Sequence, residues 1–260
     1  MTCMRCSEIG RFRFPHKITM AFQPIVDVAA RTIFAHEALV RGVDGTGAAR
    51  LMADLTEDTK YHFDQTCRAT AIRLAAQLGV ERVSINFMPN AVYDPATCIR
   101  KTLDVAERHG YDLGRIIFEL TEQEVVRDPE HLKRIVTEYK KRGFMTAIDD
   151  FGAGYAGLGL LADLQPDILK LDRSLISQID TDVTRSAIVQ GIAETARRLG
   201  ITVLAEGIER EEEAHTLHDI GIVLQQGYFY ARPQFEAVTT LADIAIPDFK
   251  DARTDARPEV

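Results

Sequence analysis

The stretch FMTAIDDFGAGY at residues 144–155 runs from an apolar strand into a glycine-rich loop and places two adjacent carboxylates at the junction. Other apolar runs of strand length also end in side chains that offer oxygen ligands, and these side chains are Glu37, Asn86, Glu119, Glu122 and Glu206. Parallel strands of a barrel present their carboxyl ends on a single face. Five strand ends are therefore expected to deliver oxygen ligands to one mouth.

The composition limits the classes of protein to which the chain can belong. With 260 residues, 46% hydrophobic and 27% charged, the chain can bury one large core and is within the range of a single α/β barrel. Its net charge of −8 argues against a general nucleic-acid or anionic-membrane surface, which requires a basic face. No run of about 18 apolar residues occurs, and residues 1–17 are too polar for a signal peptide, so we predict a soluble cytoplasmic protein.

The order of the apolar runs predicts the fold. Strand-like runs alternate with longer stretches of helical periodicity, which is typical of β/α units around a largely parallel sheet. Only residues 29–31 separate the first two strands, so those strands should form an antiparallel hairpin rather than a crossover. The predicted class is α/β, a modified TIM (β/α)8 barrel with an antiparallel first strand. The eight predicted strands are 20–28, 32–40, 82–87, 116–120, 144–148, 167–171, 201–205 and 222–226.

One domain is predicted, with a tail at each end. The barrel is expected over residues 20–247, after an N-terminal segment at 1–19 and before a flexible C-terminal tail at 248–260. Cys3 and Cys6 have the spacing of half a zinc site or of a redox pair, but no further ligands lie nearby, so two thiols on a mobile tail are favoured. The predicted helices are 62–78, 96–109, 129–142, 182–199 and 210–220.

The oxygen-bearing side chains at the strand ends are candidate metal ligands. A single carboxylate in such a place is more often a helix cap or a solvated loop residue. Several carboxylates at one mouth, however, would repel one another strongly unless cations lay between them. A set without histidine or cysteine favours Mg²⁺ or Mn²⁺ over Zn²⁺. The candidate ligands are Glu37, Asn86, Glu119, Asp149, Asp150 and Glu206.

Two further features refine this metal site. The adjacent pair Asp149 and Asp150 favours two ions, an arrangement that activates a water and stabilises in-line displacement at phosphorus. Lys170 lies in an otherwise apolar strand, where a simple surface lysine would be unusual. We expect Lys170 to orient the attacking water or to offset charge on the phosphoryl oxygens.

These motifs, taken together, resemble the EAL domain, the class I cyclic di-GMP phosphodiesterases, over about residues 20–233. The triplet Glu-Ala-Leu stands at residues 37–39. The loop after Asp150, where GYAGL replaces the usual pair of serines, is similar to the branch fused to BLUF light sensors. The other matching motifs are FQPIVD at 22–27, SINF at 84–87, ELTE at 119–122, DDFGAGY at 149–155, LKLD at 169–172, AEGIE at 205–209 and QGY at 226–228.

The resemblance implies hydrolysis of cyclic di-GMP to linear 5′-pGpG with two Mg²⁺ or Mn²⁺ ions. Lys170 is similar to the lysine that contacts the catalytic water, Glu206 to a base, and Glu37 to a catalytic ligand. Glu122 matches the glutamate that anchors the loop after Asp150. The implied first ion has the ligands Glu37, Asn86, Glu119 and Asp149, and the second has Asp149, Asp150 and Glu206. The implied substrate-facing residues are Gln23, Arg41, Asp172, Glu209 and Gln226.

The resemblance also implies a homodimer through the loop after Asp150 and the helix that begins near Ala156. Residues 153–161 are small and apolar and would form a sticky patch if exposed. On periodicity alone, their leucines could equally pack on the barrel. A regulatory protein partner of unknown identity is a further hypothesis.

Three alternatives to the phosphodiesterase remain. The first is a catalytically silent cyclic di-GMP receptor acting through a protein partner, although such receptors usually lack some metal ligands. Residues 152–157 match the dinucleotide-binding pattern G-x-G-x-x-G, but Asp149 and Asp150 would oppose a pyrophosphate there. A glycosidase would fit two strand-end glutamates, but the absence of tryptophan leaves few platforms for stacking a sugar.

Overall fold

The protein folds as a closed barrel of eight strands with helices outside it. The computed structural model describes residues 13–121, 128–154 and 157–249. In the part of the chain so described, no helix is both long and apolar enough to cross a membrane. The strands are β1 Ile18–Asp27, β2 Thr32–Gly42, β3 Val83–Asn86, β4 Ile116–Thr121, β5 Met145–Phe151, β6 Ile168–Leu171, β7 Thr202–Ala205, β8 Leu224–Gln225 and β9 Gln234–Phe235.

The strand order closes the barrel through β1. Strands β2 to β8 follow one another in parallel, and β1 pairs antiparallel with both β2 and β8. The hairpin of β1 and β2 pairs Asp27 with Thr32 and Ile18 with Gly42. The predicted barrel with an antiparallel first strand is confirmed. Strand β9, which pairs with Ala21 and Phe22 of β1 outside the ring, is too short for sequence periodicity to predict.

The predicted helices are all present, with shifted ends. The helix predicted at 62–78 begins earlier, because Thr56 and Thr59 form a capping box at its start. The helix predicted at 96–109 is divided at Ile99 into two. The helices of the described ranges are α1 Ala48–Ala53, α2 Glu57–Gln77, α3 Pro95–Cys98, α4 Arg100–Arg108, α5 Pro129–Lys141, α6 Gly157–Leu164, α7 Arg173–Ile176, α8 Val183–Leu199 and α9 Glu211–Ile220.

The ends of the chain are described only in part. Strand β1 begins at Ile18, within the segment predicted to precede the barrel. Cys3 and Cys6 lie outside the described residues, as do residues 250–260. The division into two tails and one barrel domain therefore stays a prediction.

The barrel interior is filled in layers, and this layering places the site. A compact apolar cluster occupies the middle of the barrel: Ile25, Ala35, Ile117, Ala147, Ile168, Leu204 and Leu224. Side chains two positions apart on a strand point to the same face. For each parallel strand that contributes to this apolar cluster, the residue two positions after the cluster member lies on the same inner face and is polar. On antiparallel β1, the corresponding polar residue lies two positions before Ile25. These polar residues are Gln23, Glu37, Glu119, Asp149, Lys170, Glu206 and Gln226.

The segments that follow β7 and β8 cross in close contact at Gly227. The Ile208 amide donates to the Gln226 carbonyl at 3.1 Å, and the Phe229 amide donates to the Ile208 carbonyl at 3.0 Å. A Cβ atom on Gly227 would overlap the Ile208 backbone. Glycine is required here because two backbones meet without room for a side chain.

We expect Gly227→Ala to lower the free energy of unfolding by roughly 1–3 kcal/mol or more, because the overlap is with backbone that cannot move aside. Gly191→Ala is the matched control. Gly191 lies in α8 with open space around its would-be Cβ, so this change should raise the stability by about 0.5–1 kcal/mol. Urea denaturation of the two variants measures both effects, and equal effects would contradict the packing described.

Candidate active site

The ammonium group of Lys170 lies inside the mouth of the barrel among four carboxylates. Lys170 is on β6 and is 1% exposed. Its Nζ atom lies 2.8 Å from Asp149 Oδ1 and 2.9 Å from Glu206 Oε1. It lies 3.0 Å from Glu119 Oε2 and 3.8 Å from Glu37 Oε2. One cation is thus shared by carboxylates that β2, β4, β5 and the end of β7 supply.

Amide and hydroxyl groups orient two of these carboxylates. Asn86 Nδ2 donates to Glu37 Oε1 at 3.0 Å, and Gln226 Nε2 donates to Glu37 Oε2 at 2.9 Å. The buried Ser84 hydroxyl donates to Glu119 Oε1. Gln226 Oε1 is also buried and accepts no hydrogen bond from any described residue. Sequence reasoning missed Ser84, although its place two residues before Asn86 on β3 puts it on the same inner face.

The acidic residues form two triads that share one member. Glu37, Glu119 and Asp149 place ligand atoms within 4.8 Å of one another, and so do Asp149, Asp150 and Glu206. A shared carboxylate is the arrangement that can bridge two ions. The structure therefore brings together all of the predicted acidic ligands, while their roles as ligands stay predictions.

Asp150 joins its triad only because the strand is irregular at that point. Regular alternation would direct Asp149 and Asp150 to opposite faces. The pairing of β5 with β6 shifts register between Ile148 and Phe151, and Asp150 has the left-handed φ of 55°. Its amide donates to Asp149 Oδ1 at 3.0 Å. Bulges and left-handed non-glycine residues cluster at functional sites, where they redirect a side chain.

The single positive charge of Lys170 does not neutralise the negative charge of the surrounding carboxylates. Burial is the main cause that raises the pKa of Glu119 to about 8, and nearby carboxylates add to it against the opposing charge of Lys170. Burial likewise raises the pKa of Glu206 well above its ordinary value. Burial alone would lower the pKa of Lys170, but the carboxylates outweigh it and raise that pKa well above 10.5.

This surplus of negative charge fits divalent cations. The donors at the mouth are carboxylate and amide oxygens, which are the ligands that Mg²⁺ and Mn²⁺ prefer. Two overlapping triads provide places for two such ions. The residues present therefore fit the predicted metals.

A cavity of about 750 Å³ opens beside the triads. Asn86, Asp149 and Asp150 form part of its wall, so the cavity adjoins the metal cluster. Its volume is within the range of small-molecule sites. Its other walls are mostly apolar and include Leu39, Val40, Met52, Leu55, Phe63 and Phe87.

Two of the predicted substrate-facing residues lie at the mouth and a third lies near the end of β2. Gln23 pairs with Glu37 across the hairpin, and its Nε2 donates to the Ala231 carbonyl at 3.1 Å. Gln226 contacts Glu37, as described above. Arg41 is half-buried, and its Nη1 donates to the Val40 carbonyl at 2.8 Å.

The remaining predicted site residues have local partners. Asp172 caps α7 by accepting a bond from the Ser174 amide at 2.8 Å. Glu209 pairs with Arg173 at 2.7 Å. Glu122 lies outside the described residues. The first two lie in the loops after β6 and β7, so their contact with substrate stays a prediction.

Comparison with known proteins agrees with this geometry. The family model described as the EAL domain matches residues 15–233. The probable cyclic di-GMP phosphodiesterase PdeD of Escherichia coli (strain K12) is 36% identical over 237 residues, which cover 87% of this chain and 43% of PdeD. The chain spans about half the length of the curated relatives that it matches first.

Two solved structures are similar over most of the chain. A standalone versatile EAL protein from Vibrio cholerae O395, in its c-di-GMP-bound form, is 48% identical with a TM-score of 0.84 and covers 87% of this chain and 96% of that one. The manganese and cyclic di-GMP complex of Klebsiella pneumoniae BlrP1 is 34% identical with a TM-score of 0.80. It covers 85% of this chain and 57% of BlrP1.

We expect the metal-free protein to become less stable as the pH rises from about 6.5 to about 8. Below about pH 6.5 this trend is opposed, because burial lowers the pKa of His36 and His62. The raised pKa of Glu119 means that the folded protein binds more protons than the unfolded chain in this range. The free energy of unfolding must then fall with pH, by at most about 1.4 kcal/mol per pH unit for each extra proton. Urea denaturation with a chelator present measures the slope.

Two controls belong to this measurement. Glu119→Gln should make the pH slope shallower, because it removes one of the two carboxyl groups whose pKa is raised. Mg²⁺ should also flatten it, because a divalent cation replaces the protons among the carboxylates. A stability that rises between about pH 6.5 and about pH 8 in the metal-free protein would refute the electrostatic account.

Proposed function

Because the chain belongs to the EAL domain family, we propose that it hydrolyses cyclic di-GMP to linear 5′-pGpG. The match over residues 15–233 confirms the resemblance that the motifs indicated. The observation that carries the proposal is the pair of carboxylate triads sharing Asp149 beside a cavity of about 750 Å³. The names of PdeD and of the two structural relatives support cyclic di-GMP as the substrate.

Two ions, Mg²⁺ or Mn²⁺, are part of the proposal. Bound ions of this kind lower the pKa of a water and stabilise the charge of an in-line displacement at phosphorus. The manganese complex of BlrP1 supports this choice. The first ion would be held by Glu37, Asn86, Glu119 and Asp149, and the second by Asp149, Asp150 and Glu206.

The chain's own residues have distinct tasks in this reaction. The product 5′-pGpG keeps its phosphate on the 5′ oxygen, so a bond forms between water oxygen and phosphorus while the bond from phosphorus to O3′ breaks. The departing O3′ takes up a proton from solvent and becomes the 3′-hydroxyl of the product. Glu206 accepts the proton of the water as general base. Lys170, whose Nζ lies 2.9 Å from Glu206 Oε1, donates hydrogen bonds to the water or to a phosphoryl oxygen.

Substrate binding is assigned to the rim of the mouth. Arg41 makes a charge-assisted contact with a phosphate, which an acidic mouth otherwise disfavours. Gln23 and Gln226 stand at the level of the carboxylates, and Gln226 Oε1 is a buried acceptor that a substrate N–H group or a water can satisfy. Asp172 and Glu209 support the loops around the substrate. The apolar cavity wall suits a nucleobase.

We also propose a homodimer formed through helix α6. Leu161 is buried against the protein, as the alternative of packing on the barrel predicts, and Leu164 on the same helix is buried as well. Leu158, however, is 63% exposed on the same helix. An exposed leucine next to the loop that follows Asp150 would be covered by a second copy. A regulatory partner and a cytoplasmic location stay predictions.

Incubation with cyclic di-GMP and Mg²⁺, followed by chromatography, should yield linear 5′-pGpG, and excess chelator should abolish the product. Glu206→Gln should reduce the rate by a factor on the order of 10² to 10⁴ while substrate binding survives, because the change removes a base but little volume. Glu194→Gln, an exposed glutamate of α8, is the matched control and should hydrolyse at the wild-type rate.

Two results would overturn the proposal. Wild-type turnover by Glu206→Gln would show that the two-ion assignment is wrong. Tight binding of cyclic di-GMP without product, with either Mg²⁺ or Mn²⁺, would establish the receptor in place of the enzyme.

Leu158→Glu should convert the proposed dimer to a monomer, because it places a charge in the covered apolar patch. Light scattering at micromolar concentration measures the mass. Leu199→Glu, at a leucine of α8 that is 48% exposed, is the matched control and should leave the dimer intact. A monomeric wild type with full activity would count against the dimer.

A further inference from the structure

Glu213 is a buried carboxylate outside the metal cluster that joins two loops. It lies on the first turn of α9 and is 3% exposed. Its Oε2 accepts bonds from the backbone amides of Glu209 at 3.0 Å and Arg210 at 3.2 Å. Its Oε1 accepts a bond from the Gln178 amide at 2.9 Å. The first two donors belong to the loop after β7, and the third belongs to the segment after α7.

The side chain of Arg210 connects the same two loops. Both of its terminal nitrogens bond Asp180, with Nη1 at 3.2 Å from Asp180 Oδ2, in a bidentate pair. Arg210 Nη2 also lies 3.3 Å from Glu213 Oε1. Asp180 lies two residues after Gln178, which has a left-handed φ of 63°. Glu213, Arg210 and Asp180 therefore form one charged bracket between the loops.

This bracket does more than cap a helix. An ordinary capping box satisfies only the amides at the start of its own helix. Here the bonds to Gln178 and Asp180 cross 35 and 30 residues of sequence. The loops that they join follow β6 and β7, the strand that carries Lys170 and the strand that ends before Glu206.

The loop from Glu206 to Arg210 is short, so contacts at either end restrain the position of the whole loop. At the first end, the Glu206 amide donates to the Leu171 carbonyl at 3.1 Å. In the middle, Gly207 has a left-handed φ of 68°, and the Arg173 side chain packs where a Cβ would stand. At the far end, the bracket holds Glu209 and Arg210. The Gly227 crossing also holds the loop at Ile208, through the bond from the Ile208 amide to the Gln226 carbonyl. Releasing the far end therefore removes one of several restraints on the loop and leaves the segment after Ile208 without its anchor.

We infer that Glu213, with the Arg210–Asp180 ion pair, is a positioning group that holds the Glu206 carboxylate opposite Lys170 and so shapes the second metal site. The inference rests on the proposed function, because it takes Glu206 as a metal ligand. Groups that orient metal ligands commonly change metal affinity by about 10- to 100-fold when they are removed. Glu213 acts through the loop and does not contact the ions.

Two measurements test this inference. Electron paramagnetic resonance of free Mn²⁺ measures the affinity of the protein for the ion, and hydrogen exchange in the metal-free protein measures how well residues 203–210 are held. Glu213→Ala should weaken one of two Mn²⁺ sites by roughly tenfold and speed exchange in this segment. Asp180→Asn is the milder second variant, which keeps the helix start intact. It should move both readouts in the same direction by less.

Asp182→Ala is the matched control. Asp182 caps α8 through the amides of Thr184 and Arg185, at 3.0 and 3.1 Å, without joining the loop of Glu206. It should lower the melting temperature but leave Mn²⁺ affinity and exchange at 203–210 unchanged. If Glu213→Ala behaves like this control, the positioning role is wrong. If the wild type does not bind two Mn²⁺ ions, the proposed function fails, and exchange in the metal-free protein alone decides the inference.

Discussion

The attraction between the buried Lys170 ammonium and four carboxylates is the interaction on which the rest of the site depends. Taking these charges out of water is expensive, and only close opposite charge repays the cost. Lys170 lies within 3.0 Å of three of them. Burial, together with the neighbouring carboxylates, nevertheless outweighs this one positive charge and raises the pKa of Glu119 and of Glu206. The surplus charge that weakens the metal-free fold is the same charge that favours divalent cations, so stability and ligand binding are linked through one set of groups.

The barrel holds that charge in place by stacking it on an apolar layer. Ile117, Ala147 and Ile168 fill the interior, and the next inward side chains on the same strands are Glu119, Asp149 and Lys170. The ladder between strands fixes their heights, so no loop has to move to bring the charged groups together. Strand β1 runs in the opposite direction, so its polar inner residue precedes the apolar layer in sequence. This residue is Gln23, which pairs with Glu37. The first triad is therefore built almost entirely on strands, which are the most rigid supports that the fold offers.

The second triad depends on less regular structure. Asp150 reaches it through a shift in strand register, and Glu206 lies just beyond the end of β7. The segment after Glu206 is confined by the Gly227 crossing, by Arg173 and by the Glu213 bracket. Loops carry function when a scaffold fixes them. Here the fixing contacts come from the neighbouring loops, so the geometry of the second triad is a property of several segments at once.

The sequence by itself determined the eight strands, the antiparallel hairpin and the carboxylates at the strand ends, because alternation and the length of a connection are local properties of the chain. Its motifs also identified the family. Only the tertiary structure decided that Asp150 faces the mouth, that Ser84 bonds Glu119, and that Asp172 caps a short helix. It also decided that one predicted helix is divided at Ile99. These features depend on partners that lie far apart in the sequence, such as Ser84 and Glu119 or Gln178 and Glu213, and local patterns do not record such contacts.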